Sequence, residues 1–224
     1  MPSTGHRKLC LTQQTELRRL MGSPGQFDAA MQLFLRQHAM LHSAQVSQAG
    51  LWSFEDALLD DLSQAQFRRL APNQEHSIAW LIYHMARCED ITLNLLVAGT
   101  PQVLLSGGWL EALETGIRHT GNAMTHDEIE RFSNAIDLQA LRGYRRAVGT
   151  RTRAIACQLT PGDLKRKVQP EGIAQVWAQG AVLEPAREIV DYWSKRNVAG
   201  LLLMPATRHN LVHLNEALEL KSKR

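Results

Sequence analysis

One long stretch with the period of a helix restricts the possible folds more than any other part of the chain. It runs over 74–98, with Pro72 just before it and Gly99 at its end. With a turn of about 100° per residue, six positions fall within about 60° of His84. These are Ser77, Trp80, Leu81, Cys88, Ile91 and Leu95. The stretch predicts a long helix that packs against several others, with His84 in the middle of its buried face.

The rest of the chain shows the same helical period, and no convincing strand alternation appears. The predicted helices are a short one near Thr15–Leu20, a long one over 26–48, shorter ones over 55–62 and 109–119, one beginning after Thr125, one over 138–159, one from Glu184 to Pro205, and one over 205–219. Residues 163–183 fit a loop, a hairpin or a helical turn. Together these elements predict an all-α bundle of four main helices, with short extra helices and long crossover connections.

Local signals give some of the boundaries. Thr125 and Glu128 form a capping box, and Ser53 with Asp56 is a similar helix start. Gly22–Gly25 separates residues 1–25, a predicted loosely ordered arm, from a single domain over 26–224.

Charge and cysteine usage exclude several classes of protein. The net charge of +3 comes from 25 Lys and Arg against 22 Asp and Glu, spread along the chain, which argues against a nucleic-acid-binding face. The three cysteines are far apart, which fits free thiols in a reducing compartment. The N-terminus lacks a secretion signal, and no apolar run reaches membrane-spanning length. We therefore expect a soluble cytoplasmic protein that contacts neither membrane nor nucleic acid.

His209 and His213 are spaced four residues apart in the last predicted helix, so both imidazoles face one side, one turn apart. Such a pair fits two ligands of one metal ion, and His84 is the candidate third ligand. The same spacing also fits interfacial histidines bonded to backbone or to Glu216. Cys88, one turn from His84, is either a soft fourth ligand or a small buried residue.

His38 and His42 have the same spacing in the first long helix. They fit partly buried packing residues, or residues that line the same cavity. Spacing alone does not choose between the two pairs.

Two short motifs resemble the DinB-like (DinB/YfiT) superfamily. The first is SIAWLIYHMARCEDITLN, with Trp80, His84, Glu89 and Asp90, and the second is RHNLVHLNEAL near the end of the chain. The resemblance covers roughly residues 26–220. It implies a four-helix bundle of up-down-down-up order, often a homodimer, with a divalent metal held by His84, His209 and His213. Three imidazoles with open positions suit zinc, nickel or iron.

The resemblance leaves two functional classes open. One is a metal-dependent enzyme, a transferase that uses a low-molecular-weight thiol or a hydrolase of another small-molecule substrate. Candidate assisting residues are Glu216, Cys88, His38, His42, His119 and His126. The other class is a non-catalytic, metal-binding or stress-related dimer, which a fourth protein ligand would favour. A plain helical interaction protein would bind no metal.

Overall fold

The computed structural model describes residues 3–23, 25–70 and 75–222. Within these residues the chain is helical, with no strand and a single isolated bridge between Lys167 and Asn197. The α-helices are α1 (Thr4–Met21), α2 (Phe27–Leu41), α3 (Phe54–Leu59), α4 (Gln64–Arg68), α5 (Ile78–Asp90), α6 (Val103–Ser106), α7 (Trp109–Ala112), α8 (His126–Ala135), α9 (Leu138–Ala156), α10 (Pro170–Ala178), α11 (Arg187–Ser194), α12 (Val198–Leu203) and α13 (His209–Ser222). The predicted all-α class is confirmed.

The long predicted helix over 74–98 begins later than expected and changes type near its middle. Ser77 caps α5 because its side chain accepts a hydrogen bond from the Trp80 amide, so the helix begins after Ser77. Pro72, Asn73 and Gln74 lie outside the described residues. After α5 the chain continues as a π-helical segment over Ile91–Ala98, and Gly99 ends it with a φ of 63°.

The N-terminal part is more helical than predicted. The short helix expected near Thr15–Leu20 belongs to the longer α1, which the Ser3 side chain caps. Cys10 and Leu17 are fully buried, and α1 packs against α2. The helix is longer than predicted because a stripe of its side chains is buried against α2. This packing stabilises a helix whose hydrophobic periodicity in the sequence is weak. The division into an arm and a single domain stays a prediction.

The predicted helix over 109–119 ends early, at Ala112. Backbone carbonyls of the residues that follow accept hydrogen bonds from side chains of α5. The Tyr83 hydroxyl lies 2.8 Å from the Ile117 carbonyl, and the Arg87 guanidinium lies 2.6 Å from the Arg118 carbonyl. Carbonyls bonded to buried side chains are not used in helical hydrogen bonds, so the segment runs as a loop along α5.

The predicted capping signals at two later helices are confirmed. Thr125 and Glu128 form a capping box at the start of α8. Ser53 accepts a hydrogen bond from the Asp56 amide at the start of α3. These starts depend on side-chain oxygens within three residues, which explains why sequence alone identifies them.

The C-terminal region contains more breaks than predicted. Residues 163–183 include a 3₁₀ turn at Asp163–Lys165 and the helix α10. The helix expected from Glu184 to Pro205 is a 3₁₀ turn followed by α11 and α12, because the Asn197 side chain caps a new start at α12. At Pro205, which has no amide hydrogen, the chain forms a π-helical segment over Met204–Arg208. This widened turn leads directly into α13.

The core is organised around α5, which packs chiefly against α9 and α13 and also against α4 and α8. The apolar core has two groups. One surrounds α5, α8, α9 and α13, and the other lies between the π-helical segment over Ile91–Ala98, α1, α2 and α10–α12. None of the described helices is both long and apolar enough to cross a membrane.

A buried polar network closes the end of α5. The Asp90 carboxylate accepts hydrogen bonds from the Arg87 guanidinium at 3.0 Å and the Tyr144 hydroxyl at 2.7 Å. It also accepts from the amides of Val103 at 2.8 Å and Leu104 at 3.0 Å. Asp90 therefore joins α5 to α9 and to the start of α6, and its charge is compensated by Arg87.

Candidate metal centre

Three histidines from α5 and α13 meet at one point in the structure. The Nε2 atoms of His84 and His209 lie 3.0 Å apart. The His213 ring centroid lies 5.0 Å from that of His84 and 4.5 Å from that of His209. The rings of the three residues that the sequence singled out therefore lie against one another, with His84 and His209 coming from positions 125 residues apart. Among the described residues, the ligand atoms that lie within 4.8 Å of one another at this point belong to His84, His209 and Cys88, a group that does not include His213.

Two of these rings have an outer partner that fixes their orientation. The Nδ1–H of His84 donates to the Thr120 carbonyl at 2.8 Å. The Nδ1–H of His213 donates to Glu216 at 2.8 Å, and the other oxygen of Glu216 accepts from His76 at 2.7 Å. With Nδ1 protonated, the Nε2 lone pairs of His84 and His213 are free, which is the usual arrangement of metal-binding histidines.

The ring of His84 is the end of a column of three stacked rings. His76 stacks on Trp80 with ring centroids 4.0 Å apart, and Trp80 stacks on His84 at 4.6 Å. Gly121 leaves room for this column, since a Cβ atom there would lie 2.7 Å from the Trp80 ring nitrogen. The ring plane of His84 is therefore set by packing as well as by its hydrogen bond.

The buried histidines are neutral at physiological pH. Burial, with a smaller effect from nearby His213, lowers the pKa of His84 to about 3. Burial also lowers the pKa of His209 well below its usual value, together with the adjacent His84 and His213. A neutral imidazole is the form that binds a metal, so the site offers ligands that need no deprotonation.

Cys88 lies beside this cluster, and its Sγ atom forms a possible ligand group with His84 and His209. Sγ is 3.8 Å from both Nδ1 and Nε2 of His84, so it lies over the ring face rather than beside the Nε2 lone pair. Burial raises the pKa of Cys88 to about 12, which keeps the thiol protonated. These two observations disfavour the predicted alternative of a soft fourth ligand.

A cavity of about 260 Å³ opens beside His84, Cys88 and His209. Most of its wall is apolar, from α11 and the π-helical segment before α13. The wall residues from these two elements are Glu188, Ile189, Tyr192, Trp193, Met204 and Pro205. A mainly apolar cavity with a few polar groups is typical of small-molecule sites.

The second histidine pair, His38 and His42, forms a separate cluster with Glu89 and Asn210. We call these four residues the Glu89 cluster. His38 Nε2 lies 2.9 Å from one Glu89 oxygen, and His42 Nε2 lies 3.0 Å from the other. The Asn210 amide donates to Glu89 at 2.8 Å. All four residues are fully buried, so the expectation that His38 and His42 are only partly buried was wrong. They can be fully buried because Glu89 gives their rings hydrogen-bond partners within the core.

Gly149 of α9 lies against the Glu89 cluster. A Cβ atom at this position would lie 2.7 Å from His42 Nδ1 and 3.0 Å from a Val46 methyl group. We therefore expect Gly149→Ala to lower the free energy of unfolding by about 1–3 kcal/mol, although alanine is the better helix former. Urea denaturation would measure this change. Gly5→Ala in α1 is the control, because its Cβ would meet no atom closer than 3.6 Å; an equal loss there would contradict the packing argument.

The structure does not bring the other two candidate assisting histidines to the three-histidine site. His126 is exposed at the start of α8, and His119 lines a different cavity with Glu128 and Arg131. Sequence reasoning missed the Thr120 carbonyl and His76 as outer partners. A backbone carbonyl leaves no signal in a sequence, and His76 precedes the helix start.

Comparison with known proteins gives one family. A family model described as the DinB superfamily matches residues 55–217, which is more than half of the chain. The match includes His84, His209 and His213. None of the curated protein sequences compared with the chain matches it.

Proposed function

Because the chain belongs to the DinB superfamily, we propose that it binds one divalent metal ion through Nε2 of His84, His209 and His213. The observation that carries this proposal is the orientation of the rings. His84 and His213 each donate Nδ1–H to an outer acceptor and leave Nε2 free, and His84 Nε2 lies 3.0 Å from His209 Nε2. Zinc, nickel and iron all suit three imidazoles.

The arrangement of the main helices supports the finer fold expected for such a protein. The helices α2, α5, α9 and α13 pack on one another in pairs. His84 lies on α5, and both His209 and His213 lie on α13. We expect these four to form the up-down-down-up bundle, with the remaining helices as additions. A homodimer and a cytoplasmic location stay predictions.

The cavity beside the histidines supports a metal-dependent enzyme over a structural site. A metal held by three histidines retains an open position and lowers the pKa of a bound water or thiol. Cys88 Sγ lies over the ring face of His84, and burial keeps its thiol protonated, so we expect the three histidines alone to hold the ion and the fourth position to take a ligand from the cavity. The reaction classes that fit are thiol-dependent transfer and hydrolysis of a small molecule.

Glu216 is the residue best placed to assist. Burial raises the pKa of its carboxyl group, but hydrogen bonds from His213 and His76 and their electrostatic effect together outweigh burial and lower the pKa to about 2. It is therefore ionised at neutral pH and orients His213 as a positioning residue. The non-catalytic alternative would require a fourth protein ligand, and Cys88 is the nearest thiol.

Elemental analysis of protein purified without an affinity tag tests the proposal. We expect close to one tightly bound transition metal per chain. His84→Ala, or His209→Ala with His213→Ala, should lose this ion while the circular dichroism spectrum stays helical. His38→Ala with His42→Ala is the matched control, because the same spacing is altered in another helix, and it should keep the tight ion. Full occupancy in folded His84→Ala protein would contradict the three-histidine site.

A further inference from the structure

The Glu89 cluster has the composition of a metal site, although it lies apart from the three-histidine centre. Its ligand atoms come from three helices or their ends, with His38 on α2, His42 directly after α2, Glu89 on α5 and Asn210 on α13. We propose that this cluster is a second, closed site for a divalent transition-metal ion. It would be structural, because all four side chains are fully buried.

The donor atoms already converge. Nε2 of His38, Nε2 of His42 and the Glu89 carboxylate lie within 4.8 Å of one another. The two N···O distances are 2.9 and 3.0 Å. Two ligands of a tetrahedral zinc ion at about 2.0–2.1 Å from the metal are roughly 3.3 Å apart, so each N···O pair needs to open by only a few tenths of an ångström. The stacked rings of His38 and His42, with centroids 4.0 Å apart, would have to turn apart for both Nε2 atoms to face one ion. Two imidazoles and one carboxylate are a common ligand set for zinc and similar ions.

The charge of the cluster also favours a cation. Within the described residues, the hydrogen bonds and ion pairs of the Glu89 carboxylate come from His38, His42 and Asn210, with no lysine or arginine among them. A buried carboxylate with no lysine or arginine partner is costly to desolvate, and a divalent ion between these ligands would supply a positive charge beside it.

Asn210 can complete a four-ligand site. Its side-chain nitrogen lies 2.8 Å from Glu89 and 3.4 Å from His42 Nε2, and its Oδ1 atom has no partner within the described residues. The two ends of an amide have nearly the same shape, so a turned side chain would place Oδ1 next to the same ligand atoms. The turn would give up the hydrogen bond from the amide nitrogen to the Ala206 carbonyl at 3.2 Å, and bonding to the ion would replace it. Oδ1 would then be the fourth ligand, which distinguishes this closed site from the open three-histidine site.

The outer partners predict the order in which the two sites fill. The Nδ1 atoms of both His38 and His42 have no partner within the described residues. In the three-histidine site only His209 Nδ1 lacks a partner within those residues, and His84 and His213 each donate to an acceptor. Loss of one outer partner typically lowers metal affinity about 10–100-fold. The Glu89 cluster lacks one outer partner more than the three-histidine site does, so it should bind its ion about 10–100-fold more weakly.

Titration of metal-free protein with Zn²⁺ in the presence of a competing chelator tests the proposal. We expect two ions per wild-type chain, a tight one and a weaker one. Glu89→Gln keeps the shape of the side chain but removes its charge, and it should abolish the weaker event and retain the tight one. Glu55→Gln is the matched control, because Glu55 is also buried but bonds Arg145 at 2.6 Å instead of histidine, and it should keep both events.

The outcomes separate this proposal from the proposed function. A wild-type chain that takes up a single ion, lost in His84→Ala and kept in Glu89→Gln, overturns the second site and leaves the first intact. An ion kept in His84→Ala and lost in Glu89→Gln supports the second site and overturns the first. If Glu89→Gln does not fold, His38→Gln removes one ligand and should abolish the weaker event. Two events that persist in folded His38→Gln would overturn the proposal.

Discussion

Asp90→Ala is expected to lower the free energy of unfolding by about 3–5 kcal/mol, because it leaves the fully buried Arg87 guanidinium without its carboxylate. The change also removes the acceptor of the Tyr144 hydroxyl and of the Val103 and Leu104 amides, which join three helices. Guanidinium denaturation followed by circular dichroism would measure the loss. Asp90→Asn should cost less, since it keeps acceptor capacity and the volume of the side chain.

Asp163→Ala is the matched control for this prediction. Asp163 pairs with Arg166 at the same three-residue spacing as Asp90 and Arg87, but its side chain is 30% exposed. A pair in contact with water contributes little, so we expect a loss of about 1 kcal/mol or less. A similar loss in both variants would show that burial of the ion pair is not the cause.

Acid is expected to unfold the metal-free protein well above the pH at which most carboxyl groups titrate. His42 and His84 have pKa values of about 3 in the fold, lowered chiefly by burial, against about 6.5 in the unfolded chain. Each is neutral when folded, so the unfolded state binds protons first as the pH falls. The stabilisation is complete above about pH 6.5 and is lost between about 6.5 and 3.

The expected slope is large for a protein of this size. Two such groups contribute about 2.7 kcal/mol per pH unit, so roughly 5 kcal/mol is lost between pH 6.5 and 4.5. A typical domain has about 5–15 kcal/mol in total. Chemical denaturation at several pH values after chelation would measure the slope, and His42→Gln with His84→Gln should reduce it. A stability that stays constant between pH 6.5 and 4.5 would contradict the buried neutral histidines.

The sequence predicted the parts of the fold that depend on local signals. Helical period identified α2, α5, α9 and α13, and the capping boxes identified the starts of α3 and α8. It failed where a distant residue decides the local structure. Residues after Ala112 were predicted to be helical, but their carbonyls accept hydrogen bonds from Tyr83 and Arg87, which lie 34 and 31 residues earlier in the chain.

The candidate site shows the same division. His84, His209 and His213 could be selected from the sequence because the four-residue spacing and the two family-like motifs are each visible within a short stretch of the chain. The cluster around Glu89 could not, since Glu89 meets His42 across 47 residues and nothing local to α2 indicates a carboxylate partner. Spacing alone gave the two histidine pairs equal weight, and the outer acceptors that distinguish them exist only in three dimensions.

The π-helical segment before α13 makes the site depend on chain length as well as on residue type. Removal of one residue from Met204–Arg208 would allow an ordinary α-helix from α12 into α13. His209 and His213 would then turn by about 100° around the helix axis relative to Leu201 and Leu202, and would no longer face His84. Every ligand would still be present in such a chain. Substitution scanning cannot detect a requirement of this kind, whereas a series of single-residue deletions and compensating insertions can.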